Sequence, residues 1–106
     1  MSIETPDVIA RYHAAAEARD WPALAACFTA DGVVRDERQT YVGHAEIRAW
    51  REAVPWSYAT TVGTTAQRPD GVYEVPVHLE GDFPGGVADV TWRFLLEDDL
   101  IAELEC

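Results

Sequence analysis

The chain has no lysine, no asparagine, two cysteines and two serines, and nowhere a long apolar run. Each shortage excludes something. Without lysine, 8 arginines carry all the positive charge against 19 Asp and Glu, leaving a net charge of -11. Nucleic acid and anionic lipid need a basic face, so neither is an expected partner, and the acidity reads as a source of solubility. Cys27 and Cys106 are too few for a disulfide scaffold. Cys27 lies in an apolar helical run and reads as a small core residue; Cys106, the last residue, carries no reading. No apolar run approaches the ~20 residues of a membrane helix. The stretch from Met1 to Asp7 lacks a basic region followed by an apolar one, so no secretory leader is expected and cytoplasm is the default. Ser2 and Ser57 are the only serines, and no serine or cysteine nucleophile with a matched histidine is visible. The missing Lys and Asn, beside abundant Ala, Gly, Val and Asp, suggest a GC-rich bacterial genome.

What is present is a core. An apolar fraction of 48% and 4 Trp argue against disorder, and 106 residues suffice for one unstapled domain over 1–106. The apolar period changes at Trp56. Before it, apolar residues recur at helical spacing; after it, they alternate.

Thr5-Pro6-Asp7 reads as a helix start, with a hydroxyl cap, proline at the first helical position and an acid in the first turn. Val8, Ile9, Tyr12 and Ala16 share one face of this helix. Asp20 caps a second, shorter helix with Pro22 in its first turn and Leu24, Cys27 and Phe28 buried; Asp31-Gly32 is expected to end it in a left-handed cap. Short strands follow at Val33–Asp36 and Thr40–Val42. A third helix spans about His44 to Val54, with Ile47, Trp50 and Val54 on one stripe, and Pro55 stops it.

The second half reads as a meander: Trp56–Gln67, a turn at Pro69-Asp70-Gly71, Val72–Gly81, a turn at Phe83-Pro84-Gly85-Gly86, Val87–Glu97, a turn at Asp98-Asp99, and Leu100–Glu105. Parity puts Tyr73, Val75, Val77 and Leu79 on one face, then Ala88, Val90, Trp92, Phe94 and Leu96, then Leu100, Ala102 and Leu104. Asp89, Thr91 and Arg93 face out. The expected architecture is α+β: three N-terminal helices packed on a strongly curved antiparallel sheet, forming a cone or cystatin-like roll.

Two polar residues are best placed to point into such a cup. Asp36 ends a strand at its mouth; among Phe28, Trp50 and Trp92 it would lose hydration and become a usable general base. The other reading is a surface carboxylate paired with Arg35 or Arg38. Tyr12 lies on the inner stripe of the first helix, where its hydroxyl would polarise a carbonyl or phenol, or else bond backbone or water in the core. Phe28, Trp50, Tyr73, Val90, Trp92 and Phe94 are either core or the lining of a pocket for a flat apolar ligand. His44, early in the third helix, is a second-rank pocket residue. His13 is expected on a different helix face from Tyr12, and His78 on the outer strand face. No two histidines have metal-ligand spacing, and Glu97-Asp98-Asp99 lacks the loop of a calcium hand, so no metal is expected. Gly85-Gly86 follows Pro84 in a turn and is not a phosphate loop. No cofactor is expected.

Ala10-Arg11-Tyr12, Asp20, Phe28-Thr29-Ala30-Asp31, Val34-Arg35-Asp36 and Gly43-His44-Ala45-Glu46-Ile47, with the ending Trp92-Arg93-Phe94 and Asp98-Asp99-Leu100-Ile101, resemble the nuclear transport factor two-like superfamily, which includes SnoaL-like proteins and ketosteroid isomerases. The resemblance covers essentially the whole chain. It implies the cone fold, a homodimer through the outer sheet face, and no single function, because the fold hosts many activities. On the isomerase pattern, Tyr12 falls at the phenol that donates to the oxyanion and Asp36 at the carboxylate that shuttles the proton. Two positions depart from it. Val90 stands where the isomerase has a protonated acid, with Asp89 beside it facing out unless a bulge re-aims it, and Arg51 stands at a tyrosine of the third helix.

Two functions of different class follow. One is a cofactor-independent isomerase or cyclase moving a proton alpha to a carbonyl. The other is a non-catalytic small-ligand-binding or accessory protein using the same pocket. Epoxide hydrolysis, a third, needs an Asp-Arg-Asp set in the pocket, while Arg93 and Asp89 are expected outside.

Overall fold

The computed structural model describes residues 5–106, so the N-terminal stretch Met1 to Glu4 lies outside the described residues. Helix α1 spans Asp7–Ala18, α2 Trp21–Ala26 and α3 Gly43–Glu52. The strands are β1 Phe28–Asp36, β2 Gln39–Val42, β3 Tyr58–Val62, β4 Ala66–Gln67, β5 Tyr73–Gly81, β6 Val87–Glu97 and β7 Leu100–Glu105. They form one seven-stranded sheet ordered β2-β1-β7-β6-β5-β3, with β4 also on β5. The fold is the α+β arrangement expected, with one correction: β1 runs parallel to β7, so the sheet is mixed. The parallel pairing is possible because α3 and the β3–β6 meander lie between these strands in sequence and carry the chain back to the same end of the sheet.

Local chemistry explains most boundaries. The Asp20 carboxylate accepts from the Ala23 N–H at 3.2 Å and starts α2. Glu37-Arg38 and Asp98-Asp99 take positive φ at both positions, the two-residue turn that matches strand twist. The cap expected from Thr5 is not made. Pro6 occupies that position, and the Thr5 hydroxyl bonds the Thr65 hydroxyl at 2.6 Å, tying the start of α1 to the β3–β4 link. Gly32 does not end α2 either. The helix stops at Ala26, β1 begins at once with Phe28, and Gly32 lies inside that strand. A Cβ at Gly32 would come within 3.0 Å of the Phe28 Cβ, so close packing rather than a left-handed cap accounts for this glycine. The long strand expected over Trp56–Gln67 is two pieces, interrupted at Gly63–Thr65.

The core is the inner face of the sheet with the buried sides of the helices. Val8, Ile9, Tyr12 and Ala16 of α1 meet Phe28, Val34, Val75, Val77, Trp92, Phe94, Ile101 and Leu104. In β7 the alternation fails. Leu95 pairs with Glu103 and Leu96 with Ile101, so Ala102 is an extra residue in a bulge. Ile101 and Leu104 are therefore the buried pair, in place of the regular Leu100, Ala102 and Leu104 set. The outer face is polar, with ion pairs Arg35–Glu103 and Arg93–Glu74 and a 2.7 Å contact from His78 Nδ1 to Asp89.

His13 is also corrected. It is buried, stacked on Trp92 at 5.3 Å between ring centroids and 8° between planes. It lies four residues after Ile9 and three before Ala16, so it shares their stripe, and α1 sits deep enough to bury a face wider than one row of side chains.

Two stability predictions follow from this packing. Burial, opposed by Glu17, lowers the His13 pKa from 6.5 to about 4. The unfolded chain therefore takes up a proton on this imidazole at a pH where the folded chain does not. Its contribution is complete above pH ~6.5 and declines by about 3 kcal/mol as pH falls towards 4. His78 is raised by its hydrogen bond to Asp89 and shifts stability the opposite way. The contrast is therefore with H13F, which keeps a ring on Trp92: urea midpoints of H13F should fall less than wild type between pH 6.5 and 4. The second prediction concerns Gly81, where an added Cβ would fall on the Ser57 carbonyl and within 2.7 Å of the Tyr58 Cβ. Backbone must move to admit it, so G81A should lose ~1–3 kcal/mol in denaturant unfolding.

Candidate functional site

Tyr12 is held at the centre of the core by helical spacing from Val8, Ile9 and Ala16. Its ring meets Phe28, Trp92 and Phe94 edge to face, with centroids 5.9, 6.1 and 5.7 Å away. Its hydroxyl is buried and has no hydrogen-bond partner among the described residues. Burial, relieved in part by the Arg51 charge, holds this phenol well above its ordinary value near 10. It is therefore a neutral O–H, a donor with no acceptor among the described residues.

Asp36 shares the inward parity of Val34 on β1, while Arg35 between them turns outward to Glu103. The surface pairing with Arg35 is thus not made. Instead the indole Nε1–H of Trp50 donates to Asp36 Oδ2 at 3.0 Å. This bond ties the end of β1 to α3 and fixes the carboxylate at the rim of the core. The phenol of Tyr12 feels the charges of Arg51 and Asp36 as well as the Cys106 thiol and the Tyr58 hydroxyl. Five polar side chains from α1, α3, β1, β3 and the end of β7 therefore converge at one end of the cone.

Three of these, Arg51, Tyr58 and Cys106, were not singled out from the sequence as site groups, and the arginine and the cysteine are the most informative. Arg51 is only 6% exposed. Its guanidinium lies over the rings of Trp21, Trp50 and Tyr58 at 5.6, 5.2 and 5.4 Å and donates to the Tyr58 hydroxyl. Burial opposes its charge, but the neighbouring Tyr12 and Tyr58 outweigh this and raise its pKa. Its Nε–H has no partner among the described residues. Cys106 is exposed as a residue, yet burial around the thiol, with the nearby Asp36 charge, pushes it up to about 12. Its backbone N–H pairs with the Arg35 carbonyl at 2.9 Å, which sets it alongside Asp36. The sequence signal for Arg51 was its place on the isomerase pattern, at the tyrosine of the third helix. For Cys106 there was none.

The aromatic set divides. Phe28, Trp92 and Phe94 surround Tyr12. Trp50 touches Asp36 and packs against Tyr41 at 5.8 Å. Val90 is half-buried on the inner face opposite Val77, and Tyr73 is half-buried opposite Phe94. His44 lies apart: it is exposed and its Nε2 is 2.9 Å from the Phe28 carbonyl oxygen, beside a shallow groove with Pro22, Ala25 and Arg48. Asp89 is not re-aimed inward, since it pairs with His78, and Arg93 pairs with Glu74, so the acid-arginine-acid set of an epoxide hydrolase is not assembled inside. Open grooves lie elsewhere: one of about 410 Å³ along Thr61, Pro76, His78, Asp89 and Thr91, and one of about 440 Å³ between α1 and α2, lined by Arg11 and several alanines. Among the described residues no His, Cys, Asp or Glu cluster could hold a metal, and no helix is long and apolar enough to cross a membrane.

The model of the SnoaL-like domain matches residues 9–104. No curated protein matches the chain significantly. Among solved structures, the chain is similar to a proposed polyketide cyclase from Sinorhizobium meliloti, with 31% identity, 95% and 94% of the two chains covered, and a TM-score of 0.86. It shares its fold with a proposed ketosteroid isomerase from Kribbella flavida, at 16% identity, 94% and 73% coverage, and TM-score 0.79. A protein with a ketosteroid isomerase-like fold from Catenulispora acidiphila, solved in complex with trimethylamine, matches at 20% identity, 96% and 85% coverage, and TM-score 0.78.

An unpartnered hydroxyl in a packed core is a cost to folding. Y12F removes only that oxygen and keeps the edge-to-face ring contacts. It should therefore leave stability unchanged or raise it by ~1 kcal/mol, read as a denaturant midpoint at or above wild type.

Proposed function

Since the chain belongs to the SnoaL-like domain family, we propose that it is a small-molecule pocket protein acting as a cofactor-independent isomerase or cyclase on a small apolar or aromatic ligand. Asp36 takes the proton alpha to a carbonyl and returns it elsewhere on the ligand. Tyr12 donates its neutral O–H to the oxygen on which the enolate charge develops. Trp50 is a positioning residue: its N–H occupies Oδ2 of Asp36 and leaves Oδ1 for the proton. The observation that carries the proposal is the buried Tyr12 hydroxyl, which lacks a partner among the described residues and lies within the field of an indole-anchored Asp36.

The second reading, a binding or accessory protein without turnover, is favoured by Val90. It places a hydrocarbon where the isomerase pattern has a second oxygen-stabilising acid, and the acid next to it in sequence, Asp89, is engaged outside by His78.

The experiment uses a planar enone, with exchange of its alpha hydrogens followed by NMR in deuterated water and its affinity by tryptophan fluorescence. Wild type should accelerate exchange. D36N should lose ~10²–10⁴-fold in rate while keeping affinity, because the amide preserves shape and removes the base. Equal binding by wild type and D36N with no exchange by either would leave the binding-protein reading.

A further inference from the structure

We propose that Arg51 is the anchor for an anionic group on the ligand, and that the ligand of this pocket is a planar aromatic or enone carboxylate. The inference rests on the proposal above that this end of the cone is the ligand site.

The chain has 19 acidic residues and 8 arginines, so acids are abundant. Among the described residues four arginines take one: Arg35 with Glu103, Arg48 with Glu52, Arg68 with Asp70 and Arg93 with Glu74. Arg51 is the buried arginine, the one with most to gain from a carboxylate, and no ion pair reaches it among the described residues. A buried guanidinium without a counter-ion is ordinarily destabilising. Here three aromatic faces and one phenol offset part of that cost while leaving the Nε–H unused.

Arg19 adds a second positive charge at the same corner. Its guanidinium lies 5.1 Å from the Trp21 ring centroid, and Arg51 stacks on the same indole. Arg19 is held there by the carbonyls of Trp56 at 2.6 Å and Val54 at 3.2 Å, again without an acid among the described residues. Two arginines framed by aromatics and carbonyls give a local positive site on an acidic protein. A guanidinium fork matches a flat carboxylate through two parallel hydrogen bonds, and the flanking indoles suit a flat ring system joined to it. The Tyr12 hydroxyl, whose phenol feels the Arg51 charge, would face the carbonyl of the same ligand.

The test compares 2-naphthoate with 2-naphthamide, which have the same ring and nearly the same shape but differ in charge. Affinities for wild type, R51Q, R51K and R19Q are measured by tryptophan fluorescence and confirmed by calorimetry, with circular dichroism to establish that each variant is folded. Wild type should prefer the acid at least ~10-fold, R51Q should bind acid and amide alike, R51K should keep part of the preference, and R19Q most of it. If R51Q does not fold, the wild-type acid-to-amide ratio and R51K decide. Equal affinity of wild type for acid and amide overturns the carboxylate assignment and leaves the pocket standing. Preference for the acid that survives in folded R51Q moves the anion off Arg51 and overturns the inference. Failure of wild type to bind either probe overturns this inference together with the pocket on which it rests.

Discussion

The edge-to-face packing of Tyr12 against Phe28, Trp92 and Phe94 is the contact on which the rest of this molecule depends. It joins α1 to β1 and to β6, which lie on either side of β7 in the sheet. Through Phe28 it also fixes the point where α2 gives way to β1, since Gly32 folds back on the Phe28 ring and admits no larger residue without a shift. Aromatic pairs of this geometry add roughly 0.5–1.5 kcal/mol each beyond the area they bury. The same packing carries the Tyr12 hydroxyl to the end of the cone where Asp36, Arg51 and Cys106 gather. Core and candidate site are thus one structure, and the tyrosine cannot be moved for one without loss to the other.

That polar end conflicts with what a well-made core requires. Buried polar atoms are normally hydrogen-bonded, and those without partners weigh against folding. Here the Tyr12 hydroxyl, both ring nitrogens of His13 and the Nε of Arg51 are buried without partners among the described residues. Three of these four atoms belong to side chains that touch the Tyr12 ring or its neighbour Trp92, and the fourth is a charge the phenol feels. Costs this concentrated fit a region shaped for binding rather than for stability alone, because natural sequences break packing rules most often at functional sites.

The sequence was legible where one force acted alone. In β6 the burial of Trp92 and Phe94 follows from period two, and its ends lie where the flanking turns put them. In α2 the Asp20 cap is a local hydrogen bond and needed no tertiary knowledge. It was illegible where tertiary pairing overrode the local rule. Ala102 is unremarkable in sequence, yet its bulge puts Ile101 on the core side, because β7 must satisfy β6 on one edge and β1 on the other. Thr5 has the chemistry of a cap but lies beside Thr65, sixty residues on, and pairs with it instead. The parallel run of β1 along β7 depends on the return path of the whole chain. At the site, Asp36 and Tyr12 could be named from face and position, whereas the arginine cage could not. It needs Trp21, Trp50 and Tyr58 from three separate segments, and no spacing relates them.

Charge distribution closes the physical account. A net charge of -11 gives this protein a field that repels anions at long range. Most of that charge is solvated, and ions within a Debye length of ~8 Å at physiological salt screen it. The charge of Arg51 is different in kind, because it is taken out of water by Trp21, Trp50 and Tyr58 and is screened far less. An anion placed at that corner would therefore meet the local cation more strongly than the distant acids, even on so acidic a surface. The overall acidity and the one buried guanidinium thus act on different scales, the first spread over the surface and screened, the second local and desolvated.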